Sequence, residues 1–323
     1  IAAITILIFF IPYTASGFKA VGTLFNSLFG VNYHMAMLFG AAIIIIYTVM
    51  GGFMAVSTTD LIQSVVMSIA LVIIVFFGIS KAGGWDAVMD NAKSLSGYLS
   101  MTQAHNMADN TSSPYSLLTI FSTVAWGLGY FGMPHIIIRF MSIKSQKDLK
   151  KSAKIGITWT LLIVFFATLI GVIGRLFLGF DESINENSLV FIQIVRKIFP
   201  GVISGILLSA VLAASMSTAD SQLLAASSAF SSDVYKPVIR KGKASDKEMM
   251  WTGRIVVLGI SVAALIIADI AVTYREVKRI IFSDRRSQPG KGPYGANWES
   301  GWLIFTLFIN LEASDIIQKL KEA

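Results

Sequence analysis

The feature that most constrains this chain is a series of apolar runs long enough to cross a bilayer. A hydrocarbon core of about 30 Å, divided by a helical rise of about 1.5 Å per residue, asks for roughly 20 apolar residues. Ile1–Phe18, Met35–Val56, Leu61–Ser80, Tyr115–Ile138, Ile155–Gly174 and Phe199–Ala219 meet that length, the last continuing as a small-residue helix toward Phe230. A shorter seventh run, Ile255–Thr273, carries Asp269. The runs are continuously apolar rather than alternating, which points to helices and away from a β-barrel. Composition agrees, with 54% hydrophobic and only 14% charged residues, against about 25% charged in soluble domains. The fold class is an all-α polytopic membrane protein with about seven membrane helices, embedded in the lipid bilayer of the cell membrane.

Loop charges set the orientation, because Lys and Arg concentrate in cytoplasmic loops. Arg139–Lys154 carries six basic residues and one acid, and Lys236–Arg254 again carries six basic residues. Lys81–Pro114 has two basic residues against Asp86, Asp90 and Asp109, and Asp181–Lys197 has two against Asp181, Glu182 and Glu186. The alternation puts the two cationic segments and a turn at residues 57–60 in the cytoplasm, and the two acidic segments outside. A net charge of +7 distributed in this way orients a membrane protein and excludes nucleic acid as a partner. The segment Tyr274–Asn297 breaks the alternation with six further cations, and Gly301–Leu311 is about half the length of a span. Residues 1–273 therefore read as one membrane core and 274–323 as an atypical tail. Residue 1 is Ile, with no charged segment ahead of the first run, so the core reads as truncated on its N-terminal side.

Chemistry inside the spans is sparse. The chain has no cysteine and only His34, His105 and His135, far apart in sequence, which excludes disulfide scaffolds, thiolate metal sites and a local histidine cluster. No phosphate loop, zinc spacing or hydrolase elbow is present, so an enzyme has no motif support. What remains are breakers and hydroxyls at membrane depth, which are tolerated mainly where they face protein or water. Trp126-Gly127-Leu128-Gly129-Tyr130-Phe131-Gly132-Met133-Pro134-His135 should bend or open, exposing carbonyls and setting Trp126 and Tyr130 on one face. The bland alternative is an ordinary kinked helix.

In Ser209–Gln222, small residues at 210, 214, 217 and 221 form a stripe that lets another helix approach. Ser217 and Thr218 there read either as neutral oxygen ligands beside the Ala214 carbonyl, or as hydroxyls bonded back onto their own helix. Asp60 reads either as a polar turn or N-cap residue, or as an acid facing the bundle interior. Asp269 and Arg175 lie near span ends, where snorkelling explains them. Pro12-Tyr13-Thr14-Ala15-Ser16-Gly17 puts a phenol and hydroxyls in mid-membrane.

Four ordered motifs resemble the solute:sodium symporter family. They are Phe9–Gly17, Gly51–Asp60, Trp126–Phe140 and Leu207–Leu224, and the resemblance covers roughly Ile1 to Ala268. It implies a partial inverted-repeat, broken-helix transporter fold, with further helices on either side of this stretch and binding sites near the midplane. It further implies a sodium site including the Ala214 carbonyl and the Ser217 and Thr218 hydroxyls. Tyr13, Trp126, Tyr130 and Pro134 become the substrate-facing set, and Asp60 and Gln222 are linked to coupling. The sequence departs from the family pattern at Thr58, where Trp is frequent, and at Met133, where Gln is frequent.

The implied activity is sodium-coupled symport of proline, with Na+ as coupling ion, no organic cofactor and a small-molecule substrate. Another small solute (a different amino acid, a betaine, a sialic acid or a sugar) is the alternative within the class. Outside it stand a non-transporting fragment or membrane scaffold, a passive pore, which would need a filter segment or charge ring, and an intramembrane enzyme.

Overall fold

The computed structural model describes residues 2–106, 109–130, 132–178 and 190–282, with the side chains of Trp126, Leu128, Tyr130 and 271–282 excepted. Helices dominate, in the order α1 (Ala2–Phe29), α2 (Tyr33–Lys81), α3 (Trp85–Ser94), α4 (Leu117–Tyr130), α5 (Pro134–Met141), α6 (Gln146–Leu178), α7 (Val190–Ile198), α8 (Gly201–Ala229) and α9 (Asp246–Phe282). A π-helical segment, Phe230–Ile239, continues α8 and contains Pro237, whose missing N–H cannot close a normal helical turn. Among the described residues, five helices are long and apolar enough to cross a membrane. The seven apolar runs reduce to five because Met35–Val56 and Leu61–Ser80 join in α2, while Tyr115–Ile138 divides into the shorter α4 and α5.

Both differences have local causes. The turn expected at 57–60 is instead helical, and the break in α2 falls at Gly52, with φ 56° and ψ −153°. That conformation lies where a side chain is strained and glycine is not, so the Gly51-Gly52 pair marks the true joint. The division after Tyr130 follows from Pro134, which takes the first turn of α5, where a proline costs no hydrogen bond. The tail boundary at 273 is not a helix end, since α9 runs on to Phe282; residues 283–323 lie outside the described residues. Lys81–Pro114 holds α3 and a two-stranded antiparallel hairpin, β1 (Gln103–Asn106) and β2 (Thr111–Pro114), that hydropathy does not reveal. At its turn, the Thr111 hydroxyl and then its backbone N–H donate to Asp109, holding that carboxyl below its usual range.

Among the described residues two units are distinguished by their internal packing: those within 2–63, 125–142 and 212–282 form the first, and those within 64–124 and 143–211 the second. In the second, Gly78 and Gly174 allow close approach to Ile173 and Ile194 respectively, and the Trp159 indole donates to Ser68 at 2.9 Å. Most of the apolar face of α6 points outward, including Ile155, Leu161 and Phe165, as expected of a helix solvated by lipid chains. The first unit has a continuous core from Phe10, Phe18 and Val21 of α1 through Met37 and Ile44 of α2 to Leu223 of α8 and Val257 of α9.

Helix α1 is held against α2 by Gly40, where a Cβ would fall 2.2 Å from Val21 Cγ1. Val21 is 2% exposed and stiff at its branched carbon. Gly40→Ala is therefore expected to destabilise the full-length protein by about 1–3 kcal/mol through overpacking, read as a lower unfolding midpoint in detergent. Gly40→Ala with Val21→Ala should recover most of it. An unchanged midpoint for the single variant would mean that α1 and α2 do not approach at this point.

Candidate functional site

Helix α1 crosses α8 at their small residues. A Cβ on Gly17 would sit 3.1 Å from Ala219 Cβ and 3.4 Å from the Ser215 carbonyl oxygen, so the glycine sets the separation. One turn away on α8, the Ser217 hydroxyl donates to the Ala214 carbonyl at 3.2 Å and the Thr218 hydroxyl donates to the same carbonyl at 2.9 Å. Both residues are half-buried. The back-bonded arrangement and the convergence of three oxygens are thus the same geometry. Each hydroxyl spends its proton on Ala214, and its lone pairs remain for a hard cation, which takes oxygen ligands.

Below this point α8 carries a run of buried polar groups. Gln222 and Thr14 are fully buried, and the Thr14 hydroxyl donates to Gln222 Oε1 at 3.5 Å, while Gln222 Nε2 has no partner among the described residues. Asp220 is fully buried and accepts a 2.6 Å bond from the Tyr47 hydroxyl on α2. Asp60, 7% exposed, forms an ion pair with Arg139 of α5. The same Arg139 nitrogen donates to Ser221 Oγ at 2.6 Å, and that hydroxyl lies 3.2 Å from Asp60 and 3.3 Å from Asp220. Asp60 is therefore neither a turn nor an N-cap residue but a mid-helix acid in an ion pair. Arg139, counted in sequence as a loop cation, is the partner that ties α2, α5 and α8 into one network.

The residues that the family resemblance implies face the substrate are partly assembled. Phe10 meets Tyr13 edge to face with centroids 6.4 Å apart and also lies 5.9 Å from the His135 ring, so Tyr13 and the Pro134 end of α5 share an aromatic contact. Trp126 and Tyr130 occupy the last turns of α4, just before the break; their side chains lie outside the described residues. Met133 is packed in the core at 5% exposure. Asp269 is not simply a snorkelling residue, since His34 Nδ1 lies 2.5 Å from its carboxylate.

Thr14, Tyr47, Arg139 and Ser221 were not singled out as site residues by the sequence. The available signal was polarity within apolar runs for Thr14 and Tyr47. For Arg139 it was the inclusion of that residue in the Trp126–Phe140 motif.

The chain matches the Sodium:solute symporter family over residues 1–281. It is 38% identical over 269 residues to the osmoregulated proline transporter OpuE of Bacillus subtilis, covering 83% of this chain and 53% of that protein. It is 39% identical over 268 residues to the high-affinity proline transporter PutP of the same organism, covering 83% and 54%. With sodium/proline symporter 2 of Staphylococcus saprophyticus it shares 41% identity over 272 residues, covering 83% and 51%. The chain thus spans about half the length of the curated relatives it matches. Among solved structures, it superimposes with a TM-score of 0.70 and 19% identity on a Na+-coupled sialic acid symporter in a substrate-bound outward-open state, over 84% of this chain and 58% of that one. That likeness shows the broken-helix transporter fold. With five helices able to span a bilayer and a match across most of its length, the chain belongs to the Sodium:solute symporter family, as a multi-pass protein of the cell membrane.

Proposed function

We propose that the full-length protein moves L-proline across the cell membrane, driven by sodium entering down its gradient. The observation that carries sodium coupling is the convergence of the Ser217 and Thr218 hydroxyls on the Ala214 carbonyl. Neutral oxygens hold a monovalent ion without the deep well that carboxylates would create, and a transport cycle needs the ion to leave. Proline as the solute is supported by relatives at 38–41% identity that are named proline transporters or sodium/proline symporters. Tyr13, Trp126, Tyr130 and Pro134 line the solute, with ring faces against the pyrrolidine and helix-end dipoles toward its carboxylate. Asp60 and Gln222 couple the two sites through the buried polar run on α8. Residues 1–273 act as transporter core and 274–323 stand outside it; Na+ is the only cofactor and the protein has no catalytic role. The test is uptake of labelled proline into proteoliposomes holding the full-length protein, with and without an inward sodium gradient. Gradient-dependent accumulation is expected, with excess betaine, sialic acid and glucose leaving it unchanged. Accumulation of one of those solutes instead would reassign the substrate.

The aromatic assignment makes its own prediction. Trp126→Ala removes a ring wall whose burial stabilises by about 1.5–3 kcal/mol, so apparent proline affinity should fall about ten- to a hundredfold. Apparent sodium affinity should barely move. Unchanged proline affinity in this variant would move the pocket elsewhere.

A further inference from the structure

A cavity of about 430 Å³ lies within the first unit, between the Gly52 joint of α2, α5, the end of α8 with its π-helical continuation, and α9. Its size falls in the range of small-ligand sites. Its wall is mixed, apolar side chains alternating with hydroxyls and one cation. Seven serines, Arg139 and His135 line it beside Phe53, Ile138, Leu224 and Met249, and no Asp or Glu is among the lining residues; Asp60, which pairs with Arg139, is not one of them.

Two buried groups on its wall are unspent. Ser231 Oγ, on a residue only 5% exposed, and His135 Nδ1 have no hydrogen-bond partner among the described residues. Arg139 uses one terminal nitrogen for both Asp60 and Ser221, while its side chain keeps 40% exposure. A guanidinium has five N–H donors, and three of Arg139's have no acceptor among the described residues. The glycine at 253 keeps the wall open, since a Cβ there would press on Ser227 Oγ at 3.2 Å. The cavity also borders both six-cation segments, through Arg139 and Ser142 on one side and Met249 and Gly253 on the other, which places it on the cytoplasmic side.

We propose that this cavity is a second binding site, on the cytoplasmic side, for the carboxylate of a small solute, with Arg139 as its cationic partner and Ser231 as a hydroxyl donor. Its use as a stopping point for the transported amino acid on its way out rests on the symport reading above. The binding of carboxylates there does not.

Ser228 is exposed on the cavity wall and suits a reporter. In full-length protein without other cysteines, Ser228→Cys would be labelled from the cytoplasmic face of inside-out vesicles with methanethiosulfonates bearing either a sulfonate or a trimethylammonium group. The sulfonate reagent is expected to react about tenfold faster, corresponding to one charge-assisted contact. Millimolar acetate or L-proline, without sodium, should slow both reagents, whereas choline chloride should not. Arg139→Gln would erase the preference but also breaks an ion pair, so the variant for the test is the paired Asp60→Asn with Arg139→Gln, in which both preference and acetate protection should vanish. Equal rates for the two reagents, acetate protection that survives in the paired variant, or protection that needs sodium and proline together would each overturn the site. Acetate protection without any proline uptake would overturn the symport reading alone.

Discussion

Arg139→Gln in the full-length protein is expected to lose about 3 kcal/mol of stability and nearly all transport, whereas Asp60→Asn loses less of both. Breaking a buried ion pair costs about 3–5 kcal/mol because the remaining charge is left uncompensated, and the lower end applies because Arg139 is 40% exposed. The asymmetry follows from burial. Without Arg139, Asp60 stays at 7% exposure with Oδ1 already unpartnered among the described residues, and Asp220 shares the same serine hydroxyl. Without the Asp60 charge, Arg139 keeps Ser221 and turns its exposed side toward the cavity. The paired variant should therefore be more stable than Arg139→Gln alone, a non-additivity expected of residues in one network. Thermal unfolding in detergent, read beside uptake, measures it. Equal losses for the two single variants, or simple additivity in the pair, would mean that the charges do not act as a unit.

The spans were legible in the sequence because hydrocarbon imposes length and apolarity on each segment separately. So was the opening after Tyr130, since Pro134 and its glycines act within a few residues of themselves. The joint in α2 was misjudged because polarity at Ser57-Thr58-Thr59-Asp60 was read as a turn. Thr58 and Thr59 instead donate to carbonyls of their own helix, at 2.9 Å to Met54 and at 3.0 and 2.9 Å to Ala55 and Val56. The departure from helical backbone falls at Gly52. The buried polar network could not be read from spacing. Asp60 and Arg139 are 79 residues apart, and Tyr47 and Asp220 are 173 apart, so only the packing of α2, α5 and α8 brings them together. The hydroxyl pair is the intermediate case: both alternatives for Ser217 and Thr218 were visible, and the structure shows the back-bonding to Ala214, which leaves lone pairs for the proposed ligand role.

Sodium coupling stands or falls on those two hydroxyls. Thr218→Val keeps the shape of the side chain and removes its oxygen; Ser217→Ala removes the other. Loss of one neutral ligand should cost about 1–3 kcal/mol, or about ten- to a hundredfold in apparent sodium affinity. Proline affinity at saturating sodium should change much less, because no solute contact is assigned to either residue. A hydroxyl that only bonds back to Ala214 contributes local helix geometry, and its removal would leave sodium dependence as it was. The measurement is the sodium dependence of proline uptake by full-length Thr218→Val and Ser217→Ala, each checked for normal amounts in the membrane. A shift of half-saturation to about tenfold higher sodium or beyond is the predicted result, and a wild-type sodium curve in both variants would contradict it.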